Sequence, residues 1–155
     1  MLNIGDMAPD FELLNDEGNP VKLSDYRGQQ VVLFFYPKAD TPGCTKQACG
    51  FRDNYPIIEA AGATIFGLSP DKPKDLAKWR AKMGFPYHLL ADPDHVVADA
   101  YDVWGEKSFM GKQYMGVIRS HFVVGPDGRV ADIQYNVKPE DSVSRALDFI
   151  GQVEE

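Results

Sequence analysis

The chain has 155 residues, enough for one domain around a single substantial core. With 44% hydrophobic and 25% charged residues it has the balance of a globular chain, which excludes disordered and fibrous classes. A net charge of −7 argues against nucleic acid or an anionic membrane as a main partner.

No apolar stretch is long enough to span a membrane. The opening Met1-Leu2-Asn3-Ile4-Gly5-Asp6 has neither a basic segment nor an apolar signal core. The expected location is the cytoplasm, where thiols stay reduced and a cysteine pair is more often catalytic or metal-binding than a staple. With two cysteines in all, no disulfide scaffold is expected.

In chain order, Phe11–Leu14 and Val21–Leu23 flank Asn15-Asp16-Glu17-Gly18-Asn19 and predict an N-terminal hairpin. Val31–Tyr36 is a continuous apolar run, as expected of a central strand covered on both faces. A Pro/Gly loop follows, and a helix is predicted from Cys44. Cys44, Ala48, Phe51, Tyr55 and Ile58 recur at steps of four and three and share one face. Pro56 should kink or end that helix near Asn54.

Ala63–Ser69 reads as the next strand. Asp71 and Pro73 announce a helix with Leu76, Trp79 and Met83 inward. Tyr87–Ala91 predicts a third strand, Asp92-Pro93-Asp94 a turn, and His95–Tyr101 a short helix. Ser120–Val124 and Arg129–Tyr135 flank Gly125-Pro126-Asp127-Gly128, a hairpin signal. The last helix starts near Pro139 and buries Val143, Ala146, Leu147 and Ile150. The expected fold is one α/β domain over residues 1–155. Its element order is that of a thioredoxin-like fold: a central mixed β-sheet flanked by helices, with an N-terminal β-hairpin extension.

The placement of Cys44 carries the chemistry. A thiol at a helix N-terminus meets unpaired backbone N–H groups and the positive end of the helix dipole. Both favour a thiolate, which is the nucleophilic form. Cys49 follows five residues later.

The loop Tyr36-Pro37-Lys38-Ala39-Asp40-Thr41-Pro42-Gly43-Cys44-Thr45 resembles the active site of the peroxiredoxins. Pro37, Thr41 and Cys44 fill the family pattern of Pro, three residues, Thr or Ser, two residues, Cys. Ala8-Pro9-Asp10-Phe11, Cys44-Thr45-Lys46-Gln47-Ala48-Cys49, Phe51-Arg52-Asp53, Tyr101 to Lys107 and Arg119-Ser120-His121-Phe122 extend the likeness. It is closest to the PrxQ, or bacterioferritin comigratory protein, subgroup.

The resemblance implies a thiol peroxidase acting on hydrogen peroxide and organic hydroperoxides. Cys44 is then the peroxidatic residue, Thr41 and Arg119 hold the peroxide, with Arg119 expected on a strand, and Pro37 shields the thiolate. Cys49 is the resolving thiol, and a thioredoxin or similar dithiol is the reductant. The resemblance also implies a monomer, without metal, haem or flavin.

The chemistry suits these residue types. A guanidinium offers donors in a fixed fork, a hydroxyl both donates and accepts, and helix N–H groups can complete an oxyanion cradle. In an unbroken helix the two cysteine Cα atoms lie about 8.6 Å apart, beyond the ~7 Å reach of a disulfide. The implied Cys44–Cys49 bond therefore requires local unwinding, and Gly50 and Pro56 should ease it.

Plainer readings stand beside these. Cys49 could be an inert core thiol, Thr41 a turn or cap residue, and Arg119 a surface ion-pair partner. His88, His95 and His121 have no metal-ligand spacing with the cysteines. A general thiol–disulfide oxidoreductase predicts Cys-x-x-Cys, and a non-catalytic redox sensor would react without turning over.

Overall fold

The computed structural model describes residues 2–153. The mixed sheet forms around β3 (Gln30–Phe35), which is buried along its whole length. Alternate residues face opposite ways. Val32, Phe34 and Tyr36 join one core, and Val31, Leu33 and Phe35 the other. The continuous apolar run is thus explained by two covered faces.

β3 pairs in parallel with β4 (Ala63–Ser69) and antiparallel with β8 (Ser120–Val124). β5 (Leu89–Ala91) extends the sheet beyond β4, and β9 (Val130–Gln134) beyond β8. The predicted N-terminal hairpin is present as β1 (Glu12–Asn15) and β2 (Pro20–Lys22). It joins the sheet through β5, giving the order β2-β1-β5-β4-β3-β8-β9.

Four helices cover the Phe34 face: α1 (Pro42–Asp53), α2 (Tyr55–Ala60), α3 (Pro73–Met83) and α5 (Pro139–Val153). α4 (Val96–Ala100) and the N-terminal segment around Phe11 cover the other. A thioredoxin-like α/β fold with helices on both faces is what the element order predicts.

α1 starts at Pro42, earlier than the expected Cys44, with Thr41 as N-cap residue and Pro in the first turn. It ends at Asn54, whose amide donates to the Gly50 carbonyl at 2.8 Å, and Pro56 sits in the first turn of α2. Gly50 has a packing role. A Cβ there would meet Val143 Cγ2 at 2.7 Å, so its absence lets α5 close on α1.

Two features differ from the sequence reading. Trp104–Phe109 (β6) and Lys112–Val117 (β7) form a separate two-stranded hairpin that the sequence reading leaves unassigned. Asp71 does not cap α3, whose N-cap residue is Lys72. It accepts instead from the Ala39 N–H at 2.8 Å and the Ser69 hydroxyl at 2.7 Å.

His121 lies in β8 with no exposed surface. Its Nδ1 is 2.8 Å from the Ser142 hydroxyl and its Nε2 is 3.9 Å from the Asp132 carboxylate. A carboxylate at that range favours imidazolium, yet burial outweighs it, and nearby Arg145 acts in the same direction as burial. The pKa is pushed down from 6.5 to about 4.

The unfolded chain thus takes up this proton below about pH 6.5, the folded chain only below about pH 4. Stability from this group is complete above pH 6.5 and is lost as pH falls toward 4. Between pH 7 and pH 5 the loss is about 2 kcal/mol. Urea unfolding at those two pH values should show the wild type losing about that much more than His121→Gln. Equal losses would refute a neutral buried imidazole.

Candidate active site

The loop after β3 is held from several sides. Tyr36 N–H donates to the Leu68 carbonyl at 3.1 Å, which carries the β3–β4 pairing to the loop's edge. Asp71 anchors Ala39, and the Lys82 ammonium donates to the Asp40 carboxylate at 3.0 and 3.1 Å. Asp40 adopts φ of 60°, a left-handed conformation that Asp tolerates better than most residues. Pro37 opens this loop and is half-buried.

Thr41 is the last residue before α1. Its hydroxyl donates to the Lys38 carbonyl at 2.8 Å and does not cap the helix. With that hydrogen engaged, the Thr41 oxygen is left to accept.

Cys44 occupies the first turn of α1 and is 1% exposed. There the backbone N–H groups lack intrahelical partners and the dipole is positive. Arg119 Nη2 lies 3.4 Å from Cys44 Sγ, and Nη1 donates to Gln47 Oε1 at 2.7 Å. The guanidinium is thus held between sulfur and amide by its own fork geometry.

Arg119 is not on a strand, as the sequence reading has it. It sits in the two-residue bend between β7 and β8. Its carbonyl accepts from the Val137 N–H at 2.9 Å, a loop contact in place of a ladder bond. From that bend the side chain reaches α1. Gly43 makes room: a Cβ there would stand 3.0 Å from Arg119 Nη2.

Gln47 is missed by the sequence reading and is fully buried. Its amide nitrogen donates to the Ser142 hydroxyl at 3.0 Å, and that hydroxyl also meets His121 Nδ1 at 2.8 Å. Ser142 receives the Gln47 hydrogen, so its own hydrogen goes to Nδ1, and the neutral imidazole carries its proton on Nε2. A polar chain thus runs Cys44, Arg119, Gln47, Ser142, His121 across α1, the β7–β8 bend, α5 and β8, buried at all members but the half-buried Arg119. His121 joins this chain from β8 through Ser142. The signal for Gln47 was a polar residue one turn after Cys44, on the inward side of a helix.

Cys49 lies further along α1, half-buried against the same core. Both thiols are free and the helix between them is unbroken. Burial raises the Cys49 thiol pKa; Arg52 opposes the rise and Asp53 adds to it. Next to it, the Ala48 carbonyl accepts from the Tyr87 hydroxyl at 2.6 Å. The structure therefore brings Cys44 and Arg119 together, keeps Thr41 at the head of the same helix, and holds Cys49 apart. No helix among the described residues is long and apolar enough to cross a membrane.

Residues 4–133 match the AhpC/TSA family. Peroxiredoxin Bcp of Escherichia coli K12 is 47% identical over 149 residues, covering 96% of both chains. Peroxiredoxin Bcp of Bacillus subtilis is 44% identical over 154 residues, covering 99% of this chain and 98% of that one. Among solved structures, Xanthomonas campestris peroxiredoxin Q superposes with a TM-score of 0.90 at 33% identity, covering 100% of this chain and 98% of that one. The chain belongs to the AhpC/TSA family, to its Bcp and PrxQ peroxiredoxins, a family of thiol-dependent peroxidases.

Proposed function

We propose that Cys44 is the peroxidatic nucleophile and Cys49 the resolving thiol of a thioredoxin-recycled peroxidase. The observation that carries this reading is the Arg119 guanidinium, 3.4 Å from a sulfur at a helix N-terminus. The Cys44 thiolate attacks the outer oxygen of R–O–OH. An S–O bond forms, the O–O bond breaks, and RO⁻ leaves and takes a proton from water as ROH. Arg119 stabilises charge on the departing oxygen. Thr41 accepts from the peroxide O–H, and Pro37 screens the sulfur from bulk water. Cys44 is left as a sulfenic acid.

The Cys49 thiol then attacks that sulfenic acid, giving the disulfide and water. Five helical steps separate the two cysteines by more than a disulfide spans. α1 must therefore unwind between them. Unwinding removes Gln47 from both Arg119 and Ser142, and Ala48 from Tyr87. A thioredoxin-type dithiol reduces the disulfide by thiol exchange, and α1 refolds over Arg119.

Both thiols lie in one chain, so the cycle needs a single copy and fits a monomer. A chain of net charge −7 draws in neither nucleic acid nor an anionic membrane. The cytoplasm, where dithiol reductants are maintained, is the compartment that fits.

Hydrogen peroxide consumption coupled to thioredoxin, thioredoxin reductase and NADPH tests the roles. Wild type should turn over, Cys44→Ser should be inert, and Cys49→Ser should stop after one turnover as a sulfenic acid. Full activity in Cys44→Ser would sink the assignment. Undiminished coupled turnover in Cys49→Ser would remove the resolving role and the unwinding step. A wild type that oxidises once and never recycles is a sensor.

Gln47 has its own test. Losing one hydrogen bond to a charged group should slow Cys44 oxidation by roughly 10- to 100-fold in Gln47→Ala. Gln47→Glu keeps an acceptor for Arg119 but loses the donor to Ser142 and sets a carboxylate near the thiolate, so it should not restore the rate. A Gln47→Ala protein that reacts at the wild-type rate would show that Arg119 needs no anchor.

A further inference from the structure

The bend that carries Arg119 is only Ile118 and Arg119, so its course is set by whatever holds the backbone around it. Three contacts do so. The Ile118 N–H donates to the Val103 carbonyl at 2.7 Å, and the Arg119 carbonyl accepts from the Val137 N–H at 2.9 Å. The third comes from a side chain: the Lys107 ammonium, on β6, donates to the Val117 carbonyl at 2.8 Å. Val117 is buried and is the last residue of β7 before the bend. A charged donor on a buried carbonyl makes a stronger tie than the two neutral ones.

The hairpin is shaped to admit this lysine. Lys107 is half-buried, while Glu106, Ser108 and Phe109 beside it are exposed. Gly116 leaves room for its stem, since a Cβ there would stand 3.3 Å from Lys107 Cδ. Gly105 pairs with Gly116 across the hairpin, and a Cβ on Gly105 would meet Ile118 Cδ1 at 2.8 Å. One glycine of the pair thus makes way for the lysine and the other for the bend itself.

The place is a poor one for a cation. Burial lowers the Lys107 pKa and Arg119 lowers it further, while Cys44 opposes them. Among the described residues no carboxylate forms an ion pair with Lys107. A methionine would cover the same apolar surface without that cost. A perturbed ammonium kept beside the reacting groups points to a role in the site.

We propose that Lys107 is a positioning residue for the peroxidase reaction: through the Val117 carbonyl it fixes the start of the bend, and so the place from which the Arg119 guanidinium reaches the Cys44 sulfur. The inference rests on the role given to Arg119 above and adds to it a residue of the separate β6–β7 hairpin. The effect of Lys107 passes through Arg119, so it vanishes where Arg119 is absent.

The test is a double-mutant cycle on the second-order rate at which hydrogen peroxide oxidises Cys44 in the reduced, full-length protein. Lys107→Met keeps a stem over Gly116 but removes the ammonium, and should slow oxidation by about tenfold. Lys107→Arg keeps a charged donor and should react nearly as fast as wild type. In an Arg119→Met protein, adding Lys107→Met should change nothing further. A lysine that merely supports the fold would slow both backgrounds alike, and that result overturns the proposal. So does a Lys107→Met protein that oxidises at the wild-type rate. Where Lys107→Met does not fold, Gly116→Ala presses on the lysine stem instead. It should slow oxidation with Arg119 present and not with Arg119→Met, and equal slowing in both overturns the proposal. An Arg119→Met protein as fast as wild type, or a wild type inert to peroxide, overturns the reading beneath it.

Discussion

On the proposed reading, the chemistry of this chain hangs on one contact made across 75 residues, the Arg119 guanidinium against the Cys44 sulfur. The half-buried guanidinium is held on more than one side. Gln47 takes one nitrogen, Gly43 gives up its Cβ so that another can come close, and Val137 fixes the backbone beneath. Those three contacts come from α1 and from the segment leading into α5. The position of the charge is thus a product of how α1 and α5 pack, and the Gly50–Val143 approach that closes those helices also shapes the site.

The same helix serves two demands that oppose each other. Intact, α1 supplies the unpaired N–H groups and dipole that favour negative sulfur, and it carries Gln47 to Arg119. Intact, it also keeps the two thiols too far apart to bond. On the proposed cycle, reactivity toward peroxide and formation of the disulfide belong to different conformations of one segment. On that cycle the anchors of the segment, Gln47 to Ser142 and Tyr87 to Ala48, would set how long the sulfenic acid waits before Cys49 can reach it.

Much of this was legible because burial writes a period into the chain. β3 and β4 read as apolar runs, and the inward stripes of α1, α3 and α5 recur at helical spacing. The β6–β7 hairpin was not legible. Most of its residues are at least partly exposed, so no alternation marks it, and its two-residue turn is Met110-Gly111, both at positive φ. Asn or Asp before Gly is the usual signal for such a turn, and Met hides it. Asp71 misled for the opposite reason. An acid just before Pro73 looks like a helix cap, but the active-site loop claims its carboxylate. Cys44 was picked out by its place at the start of a helix, and Thr41 and Pro37 by the resemblance of the loop to the family motif. Gln47, Ser142 and Lys107 could not be picked out, because their meaning depends on which distant elements meet.

The break at Asn54 and Pro56 bears on how far unwinding travels. A single long helix through Ile58 would couple opening at Cys44 to the packing of Ile58, which is 1% exposed in the core. α1 and α2 are instead separate helices, with the Asn54 amide returning to Gly50 and the Asn54 carbonyl starting α2. Opening between Cys44 and Cys49 can then stop at this junction, leaving α2 and the sheet face beneath it in place. On the proposed cycle, the break would confine the conformational change to the segment that carries both thiols. It leaves Arg119, held by Val137 on the other side, where the refolded helix will meet it again.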